Sequence, residues 1–317
     1  MSRAKSHHLV PRRYLQRFAK DGQVMVVRFG GRCGPESIRR AATASEFYTT
    51  RGPLGEPDDH VELWLSRIES MLYPAFEAVD SGRWPLGPTA REQMALWVAV
   101  QYLRTWMVRD IGAAVSNAVV DDALSPSARA SFVENQVKKH PDVAAEIVRS
   151  LAEANLHASE RLLRERASSA EWHAEGIDKY ASRLAQGLLG RRWALVRFER
   201  RALATGDEPV GLAPRGPGPV GIGNAHGVTF PLDRRTGLMM MAEDGADEVL
   251  TATSSVARTI NRLTVASTRL AVFYHPDDRP IDGLSIPTAP RTVRSANIPL
   301  TGRPIALEAS ATAVPDL

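Results

Sequence analysis

Two adjacent histidines near the start of the chain are the residues best suited to acid–base or metal chemistry. His7 and His8 stand just before Pro11. An imidazole ring titrates near neutral pH and is a common metal ligand, so the pair predicts a functional centre that begins here. The alternative is that both histidines belong to a flexible N-terminal arm.

Two glutamates further along the chain are spaced to face the same side of a helix. Glu62 and Glu69 are two helical turns apart, and Ser66 and Tyr73 share that side. Carboxylates on one helix face can ligate a cation, orient a substrate or pair with an arginine on a neighbouring helix. The spacing predicts a polar helix face and leaves its partner open.

A second polar pair interrupts an otherwise apolar helix. Gln101 and Arg104 lie one helical turn apart and share a face. Buried polar groups have to find partners, and an interhelical ion pair between Glu69 and Arg104 is the simplest solution. The alternative is that Gln101 and Arg104 orient a bound substrate.

Asp207 supplies a further carboxylate in residues 205–210, a predicted turn after a strand. There it can either satisfy backbone donors or join the histidines at a site. Mixed histidine and carboxylate donors suit Zn, Mn or Fe. The candidate ligands of such a divalent metal are His7, His8, Glu62, Glu69 and Asp207. The candidate catalytic residues are His7, His8, Glu69, Gln101, Arg104 and Asp207.

The opening motif also carries a family resemblance. It reads His7-His8-Leu-Val-Pro11-x-x-Tyr14-Leu15-x-x-Phe18, and it resembles the N-terminal signature of a bacterial family, the domain of unknown function numbered 4238. Further positions similar to the family are Glu46-Phe47-Tyr48, Glu62, Ile68-Glu69, Gln101-Tyr102-Leu103-Arg104, residues 205–210, Phe230-Pro231-Leu232 and Asn261. Gly206 and Glu208 depart from the serine and asparagine usual in the family. The resemblance extends to Tyr274 and implies no activity.

The same opening resembles the start of an HNH nuclease motif, in which histidines activate water and hold a metal. That motif needs a downstream asparagine and histidine in one compact unit. The next histidine here is His60, with no asparagine before it, so the motif is incomplete. The sequence also contains no Walker loop, no dinucleotide-binding fingerprint and no Gly-x-Ser-x-Gly elbow.

The composition predicts a cytoplasmic protein without membrane contact. Cys33 is the single cysteine, so an internal disulfide and a cysteine-based zinc site are excluded and a reducing compartment is favoured. Residues 1–18 lack the apolar run of a signal peptide, and no stretch approaches the ~20 apolar residues of a membrane helix. The 40 basic residues exceed the 36 acidic ones only slightly. They are mostly arginines, as in a GC-rich bacterial genome, and are scattered, so a nucleic-acid partner has weak support.

Hydrophobic periodicity predicts an α+β fold. Helices are predicted over residues 61–79, 89–116, 127–139, 142–168, 177–189 and 253–267. Strands are predicted over residues 23–29, 192–198, 227–232, 238–242 and 270–274. The N-terminal two-thirds is therefore mostly helical, and a small, largely antiparallel sheet of C-terminal strands takes in the N-terminal strand 23–29. Residues 1–276 are predicted to form a single domain, followed by an irregular, proline-rich tail over 277–317.

Three functional hypotheses remain at this point. The first is a metal-assisted hydrolase, such as a phosphoesterase or nuclease, acting on a polar substrate through the histidine–carboxylate set. The second is a non-catalytic binding or interaction protein whose polar core fixes the fold. The third is a toxin- or defence-associated effector.

Overall fold

The computed structural model describes residues 6–51 and 56–292, which fold into helices and small sheets. The α-helices in this part of the chain are α1 (Arg12–Leu15), α2 (His60–Leu72), α3 (Pro74–Asp80), α4 (Pro88–Leu103), α5 (Trp106–Ala123), α6 (Pro126–Lys139), α7 (Ala145–Ala167), α8 (Ala170–Leu189) and α9 (Ser254–Ser267). A 3-10 turn, Gln16–Phe18, follows α1 directly. None of these helices combines the length and the apolar character needed to cross a bilayer.

The strands fall into four sheets. They are β1 (Ser6–His8), β2 (Gln23–Arg28), β3 (Cys33–Ser37), β4 (Thr43–Ser45), β5 (Thr50–Arg51), β6 (Pro57–Asp58), β7 (Arg192–Arg197), β8 (Thr205–Gly206), β9 (Gly211–Ala213), β10 (Gly227–Pro231), β11 (Thr236–Met241), β12 (Glu248–Leu250) and β13 (Ala271–Tyr274). The larger sheets have the orders β12-β7-β11-β10-β9 and β3-β2-β13-β8, and β1 pairs with β4 and β5 with β6. Among the strands of the described residues, pairing is antiparallel except between β12 and β7. The predicted α+β class is confirmed.

The N-terminal strand pairs with one of the C-terminal strands, as predicted, but the single sheet of the prediction is divided into two: β2 and β13 lie in one sheet, and β7, β10 and β11 lie in the other. Strand β2 pairs with β13, with Val26 opposite Phe273 and Val27 opposite Val272. Alternating apolar side chains on β2 explain the pairing, because Val24 and Val26 face the core from the same side of the strand. The N-terminal segment is thereby anchored to an element about 245 positions later in the chain.

The central core holds the N-terminal helix against α4 and the sheets. Tyr14 is fully buried and stacks on Phe230 at 5.2 Å between ring centroids. Its hydroxyl donates to the Pro231 carbonyl at 2.6 Å and lies 2.9 Å from Thr205 Oγ1. Trp97 of α4 is buried in the same cluster. These contacts fix the position of the segment that carries the paired histidines.

Three predicted helices differ from the observed ones, and one of them, predicted over residues 177–189, begins earlier, at Ala170. The helix predicted over residues 61–79 is divided at Pro74, which lacks the N–H needed to continue α2 and begins α3 instead. The helix predicted over 89–116 is divided after Leu103, and Thr105 caps the new helix α5. Strand β3 was not among the predicted strands; its Pro35 is tolerated because β3 is an edge strand.

The predicted tail begins within the described part of the chain. Residues 277–292 contain neither helix nor strand there. Ile281 is nevertheless buried beside Phe29 and Val265. Residues 293–317, which complete the predicted tail, lie outside the described residues.

Candidate functional site in a cleft beside the N-terminal strand

A cleft of about 230 Å³ opens between the N-terminal segment, α2 and the end of α4. It is lined by His8, Pro11, Arg12, Arg13, Glu62, Ser66, Glu69, Ser70, Tyr73, Trp97 and Arg104. The prediction that Glu62, Ser66, Glu69 and Tyr73 share one side is confirmed, because all four face this cleft. Helical periodicity alone was sufficient to place them together.

His7 is buried and held by hydrogen bonds, and it is not part of a flexible arm. Its strand β1 pairs with β4, where His7 lies opposite Ala44, and its side chain has no exposed surface. The Tyr48 backbone N–H donates to His7 Nδ1 at 2.8 Å. Since Nδ1 is an acceptor, the proton of the neutral ring sits on Nε2, which donates to Asp59 Oδ1 at 3.2 Å. Nε2 also lies 3.4 Å from Glu62 Oε2, so both ring nitrogens are in use.

His8 is the histidine that faces the cleft. Successive residues of a strand point to opposite sides, so the side chain of His8 turns away from the contacts of His7. Its backbone carbonyl accepts from Arg104 Nη2 at 2.6 Å. Its Nδ1 is buried and has no hydrogen-bond partner among the described residues. Burial and the charges of Arg104 and Arg12 lower the pKa of His8, which keeps the imidazole neutral at physiological pH.

Glu69 and Arg104 form the ion pair that the sequence allowed for. The Glu69 carboxylate contacts Arg104 Nη1, and Arg104 Nε donates to the Tyr48 hydroxyl at 3.1 Å. Arg104 is almost fully buried, and Glu69 keeps 17% of its side chain exposed. Burial raises the pKa of Glu69, Arg104 opposes that shift, and Glu62 adds to it. The pair therefore supports the fold and also forms one wall of the cleft.

Gln101 is fully buried and does not line the cleft. Its side-chain oxygen and nitrogen have no hydrogen-bond partners among the described residues. Trp97, one helical turn earlier, does line the cleft, and its Nε1 is likewise buried and unpartnered in this part of the chain. Buried polar groups without partners are uncommon in folded proteins, and in the described residues Trp97 and Gln101 contribute three such atoms on this face of α4.

Asp207 lies apart from the histidines. Its carboxylate accepts from the backbone N–H groups of Arg269, Leu270 and Ala271 at 3.0 to 3.2 Å. Burial raises the pKa of Asp207 to about 6, against the lowering effect of those hydrogen bonds. Of the two roles weighed for Asp207, the structure shows the satisfaction of backbone donors, here at the start of β13.

The predicted metal ligands do not form a metal site in this arrangement. No three His, Cys, Asp or Glu side chains within residues 6–51 and 56–292 are placed to hold one ion. The reasons are specific: both nitrogens of His7 are engaged, Glu69 is paired with Arg104, and Asp207 faces β13. A divalent ion held jointly by His7, His8, Glu62, Glu69 and Asp207 therefore does not fit the residues present.

Several residues of the site were not singled out as functional from the sequence. Asp59 was not among the candidate site residues, yet its carboxylate bonds to His7. Arg12 and Arg13 occupy the unspecified positions of the opening motif, and Arg13 stacks over the Tyr73 ring at 3.4 Å. Tyr48 was noted only within a motif; its backbone N–H and hydroxyl join His7 to Arg104. These contacts join residues that are tens of positions apart in the chain, so no local sequence pattern indicates them.

Comparison with known proteins returns one result. The family model described as Protein of unknown function (DUF4238) matches residues 6–278. No curated protein and no solved structure gives a significant match.

Proposed function

The chain belongs to the family Protein of unknown function (DUF4238), whose description names no activity, so we propose its function from the cleft itself. The proposed function is hydrolysis of a small anionic ester, with the His8 imidazole as general base. No step of this proposal uses a metal ion. The hydrolase activity and the polar substrate of the first functional hypothesis are kept, and acid–base catalysis takes the place of the predicted metal ion.

The observation that carries the proposal is the state of His8. Its ring lines the cleft, its Nδ1 has no partner among the described residues, and burial together with the charges of Arg104 and Arg12 lowers its pKa. A neutral imidazole on the wall of the cleft is suited to take a proton from water while the water oxygen bonds to the ester carbon or phosphorus. The same proton then passes to the departing alkoxide. Groups with pKa values shifted in a cleft are typical of catalytic sites.

The charge around the cleft favours an anionic substrate. Arg12, Arg13 and Arg104 line it, against two carboxylates, Glu62 and Glu69. Arg104 is balanced by Glu69, and Glu62 lies beside His7 Nε2. Arg12 and Arg13 are exposed at the opening. Guanidinium groups bind phosphate and carboxylate groups well.

The size of the cleft restricts the substrate. About 230 Å³ is below the usual range of ~300–1,000 Å³ for pockets that take drug-sized ligands. A single phosphoryl or acyl group with a small leaving group fits such a space. A polynucleotide could offer only one terminal group to it.

The second candidate is a non-catalytic binding protein, and the Glu69–Arg104 pair favours it. Glu69, Arg104 and His7 satisfy one another or the backbone, so these polar residues need no ligand. In that case the cleft binds an anion without turning it over, and His8 only contributes a hydrogen bond.

Assays with chromogenic esters distinguish the two candidates. We expect purified protein to hydrolyse at least one of the anionic esters p-nitrophenyl phosphate and bis(p-nitrophenyl) phosphate at pH 7 in the presence of EDTA. The His8→Gln variant should lose at least ~100-fold in kcat, the usual contribution of a general base. His157→Gln, at an exposed position of α7, is the control and should keep full activity. Phosphate binding that depends on His8 without turnover indicates the binding protein, whereas activity abolished by EDTA rejects the metal-free mechanism.

We also propose a bacterial cytosol as the setting. Cys33 is exposed and free, which suits a reducing compartment. Fractionation of a bacterial host that expresses the full chain, with a reporter for each compartment, tests this location.

A further inference from the structure

A second cavity, separate from the cleft, lies between α5 and α8. Its volume is about 330 Å³, and Leu103, Val108, Val115 and Ile177 make much of its lining apolar. Trp172 and Tyr180 also line it and are 41% and 45% exposed. We infer that this cavity binds an uncharged, planar aromatic molecule that donates one hydrogen bond to His173. The inference does not depend on the proposed hydrolase activity.

His173 is the polar group of the cavity that requires a hydrogen-bond donor on the ligand. It lines the cavity and is 6% exposed. Its Nε2 lies 2.8 Å from the Leu103 carbonyl, so Nε2 carries the proton and Nδ1 is left as an acceptor. Nδ1 is buried and has no partner among the described residues. Burial lowers the pKa of His173 to about 4, so the ring stays neutral and the ligand has to bring the proton.

Two glycines in the helix walls keep the cavity open. Gly112 of α5 and Gly176 of α8 line it, and a Cβ added to either would meet nothing within 4 Å. Glycine within a helix is destabilising relative to alanine, and no close packing at these two positions requires it. Each wall therefore exposes bare helix backbone, which leaves a slot suited to a flat ring.

Three charged residues line the cavity, Arg109, Glu175 and Lys179, and each has a contact within the protein. Lys179 Nζ lies 5.4 Å from the centroid of the Tyr180 ring. Arg109 donates to the carbonyls of Phe47 at 2.7 Å and Ser168 at 2.8 Å. Glu175 pairs with Arg166 at 2.9 Å. Since these charges are engaged, the chemistry that remains is apolar and aromatic, with His173 Nδ1 as acceptor.

Indole is the probe for this inference, and titration calorimetry on the full chain is the measurement. We expect saturable binding with a Kd near or below about 1 mM, as for a small fragment. Two methylated indoles supply the matched comparison. 3-Methylindole keeps the N–H and should bind about as well as indole, whereas 1-methylindole lacks it and should bind about tenfold more weakly.

The Gly176→Leu variant fills the cavity and should abolish indole binding. Gly187→Leu is the matched control, because Gly187 is an exposed position of the same helix, also with free space around it and outside the cavity. Both variants should melt at or above the wild-type temperature, since leucine favours a helix over glycine. Gly112→Leu repeats the test from the opposite wall if Gly176→Leu fails to fold.

Four results would overturn the inference. They are absence of saturable indole binding, equal affinity for the two methylindoles, unchanged binding by Gly176→Leu, and self-association of the wild-type chain that Gly176→Leu abolishes and indole does not affect. The last result would assign the cavity to a second copy of the chain.

Discussion

Adjacent histidines have opposite roles in this protein because a strand turns alternate side chains to opposite sides. His7 points inward, where Tyr48, Asp59 and Glu62 surround its two ring nitrogens. His8 points into the cleft and keeps Nδ1 without a partner in the described structure. The chemical distinction between the two therefore comes from strand geometry and not from residue type.

The protonation of His8 can be measured directly. We expect NMR titration of its ring to give a pKa below the ordinary value of 6.5, and Arg12→Gln to raise it, because one of the lowering charges is removed. Arg39→Gln, at an exposed position outside the cleft, should leave it unchanged. Since a base works in its neutral form, ester hydrolysis should rise with pH through this lowered value and be level by pH 7. A His8 that titrates above 6.5 contradicts both expectations.

At the scale of elements, the break between α4 and α5 builds both cavities. The chain leaves α4 after Leu103, and Arg104 at the turn reaches Glu69, Tyr48 and the His8 carbonyl. If α4 continued into α5 without a break, Arg104 would occupy an ordinary position within that helix, and the turn between α4 and α5 would not exist. The Leu103 carbonyl at the same break accepts from His173. The two sites therefore meet at one junction.

Thr105 holds this junction as the N-cap of α5. Its Oγ1 accepts from the Val108 backbone N–H at 3.3 Å, and its hydroxyl donates to the Tyr102 carbonyl at 3.0 Å. We expect Thr105→Ala to lower the free energy of unfolding by about 1–2 kcal/mol in urea titrations, and Thr105→Ser to retain most of it. Thr253 caps α9 in the same way at an exposed position, so Thr253→Ala should cost less. If Thr105→Ala and Thr253→Ala lower the free energy of unfolding equally, the burial of Thr105 adds nothing to the stability that its cap provides.

At the scale of the whole molecule, a buried acidic pair joins the C-terminal sheet to α5. Asp207 holds the start of β13, and Glu208 Oε1 accepts from the Met107 backbone N–H at 2.9 Å. Burial and the negative charge of Asp207 raise the pKa of Glu208 well above its ordinary value, and Arg269 acts against this while Asp110 adds to it. Glu208 is therefore protonated in the folded state at pH values where the unfolded chain has lost that proton.

This shift gives stability a pH dependence of known sign. A carboxyl whose folded pKa is raised contributes stability that is full below its unfolded value, 4.5, and is lost as pH rises toward its folded value. We expect Glu208→Gln, which keeps the acceptor oxygen, to gain free energy of unfolding relative to wild type from pH 5 to 7, by about 1 kcal/mol per pH unit. Urea titrations across that range measure it. Glu153→Gln, at an exposed position, is the control, and its free energy of unfolding should follow that of the wild type at every pH. If the stability curve of Glu208→Gln runs parallel to that of the wild type, Glu208 is already ionised in the folded state at pH 5.

The sequence by itself determined the properties that depend on local periodicity. Helical spacing predicted the shared face of Glu62 and Glu69 that lines the cleft. A valine-rich run predicted strand β2 and the expectation that it joins C-terminal strands, but only the structure identified β13 as its partner. The family was also recognisable from the order and spacing of its motifs, and the match over residues 6–278 confirms it.

Only the tertiary structure decided the partners of the polar residues. Asp59 reaches back to His7, Asp207 reaches forward to the amides before β13, and the turn at Arg104 depends on acceptors from two other segments. A hydrogen bond is specified by a distance of about 3 Å and by direction, and the fold sets both through contacts far apart in the chain. Sequence spacing therefore identified which residues are polar and buried, and the fold alone determined that they form a cleft without a metal cluster in the described residues.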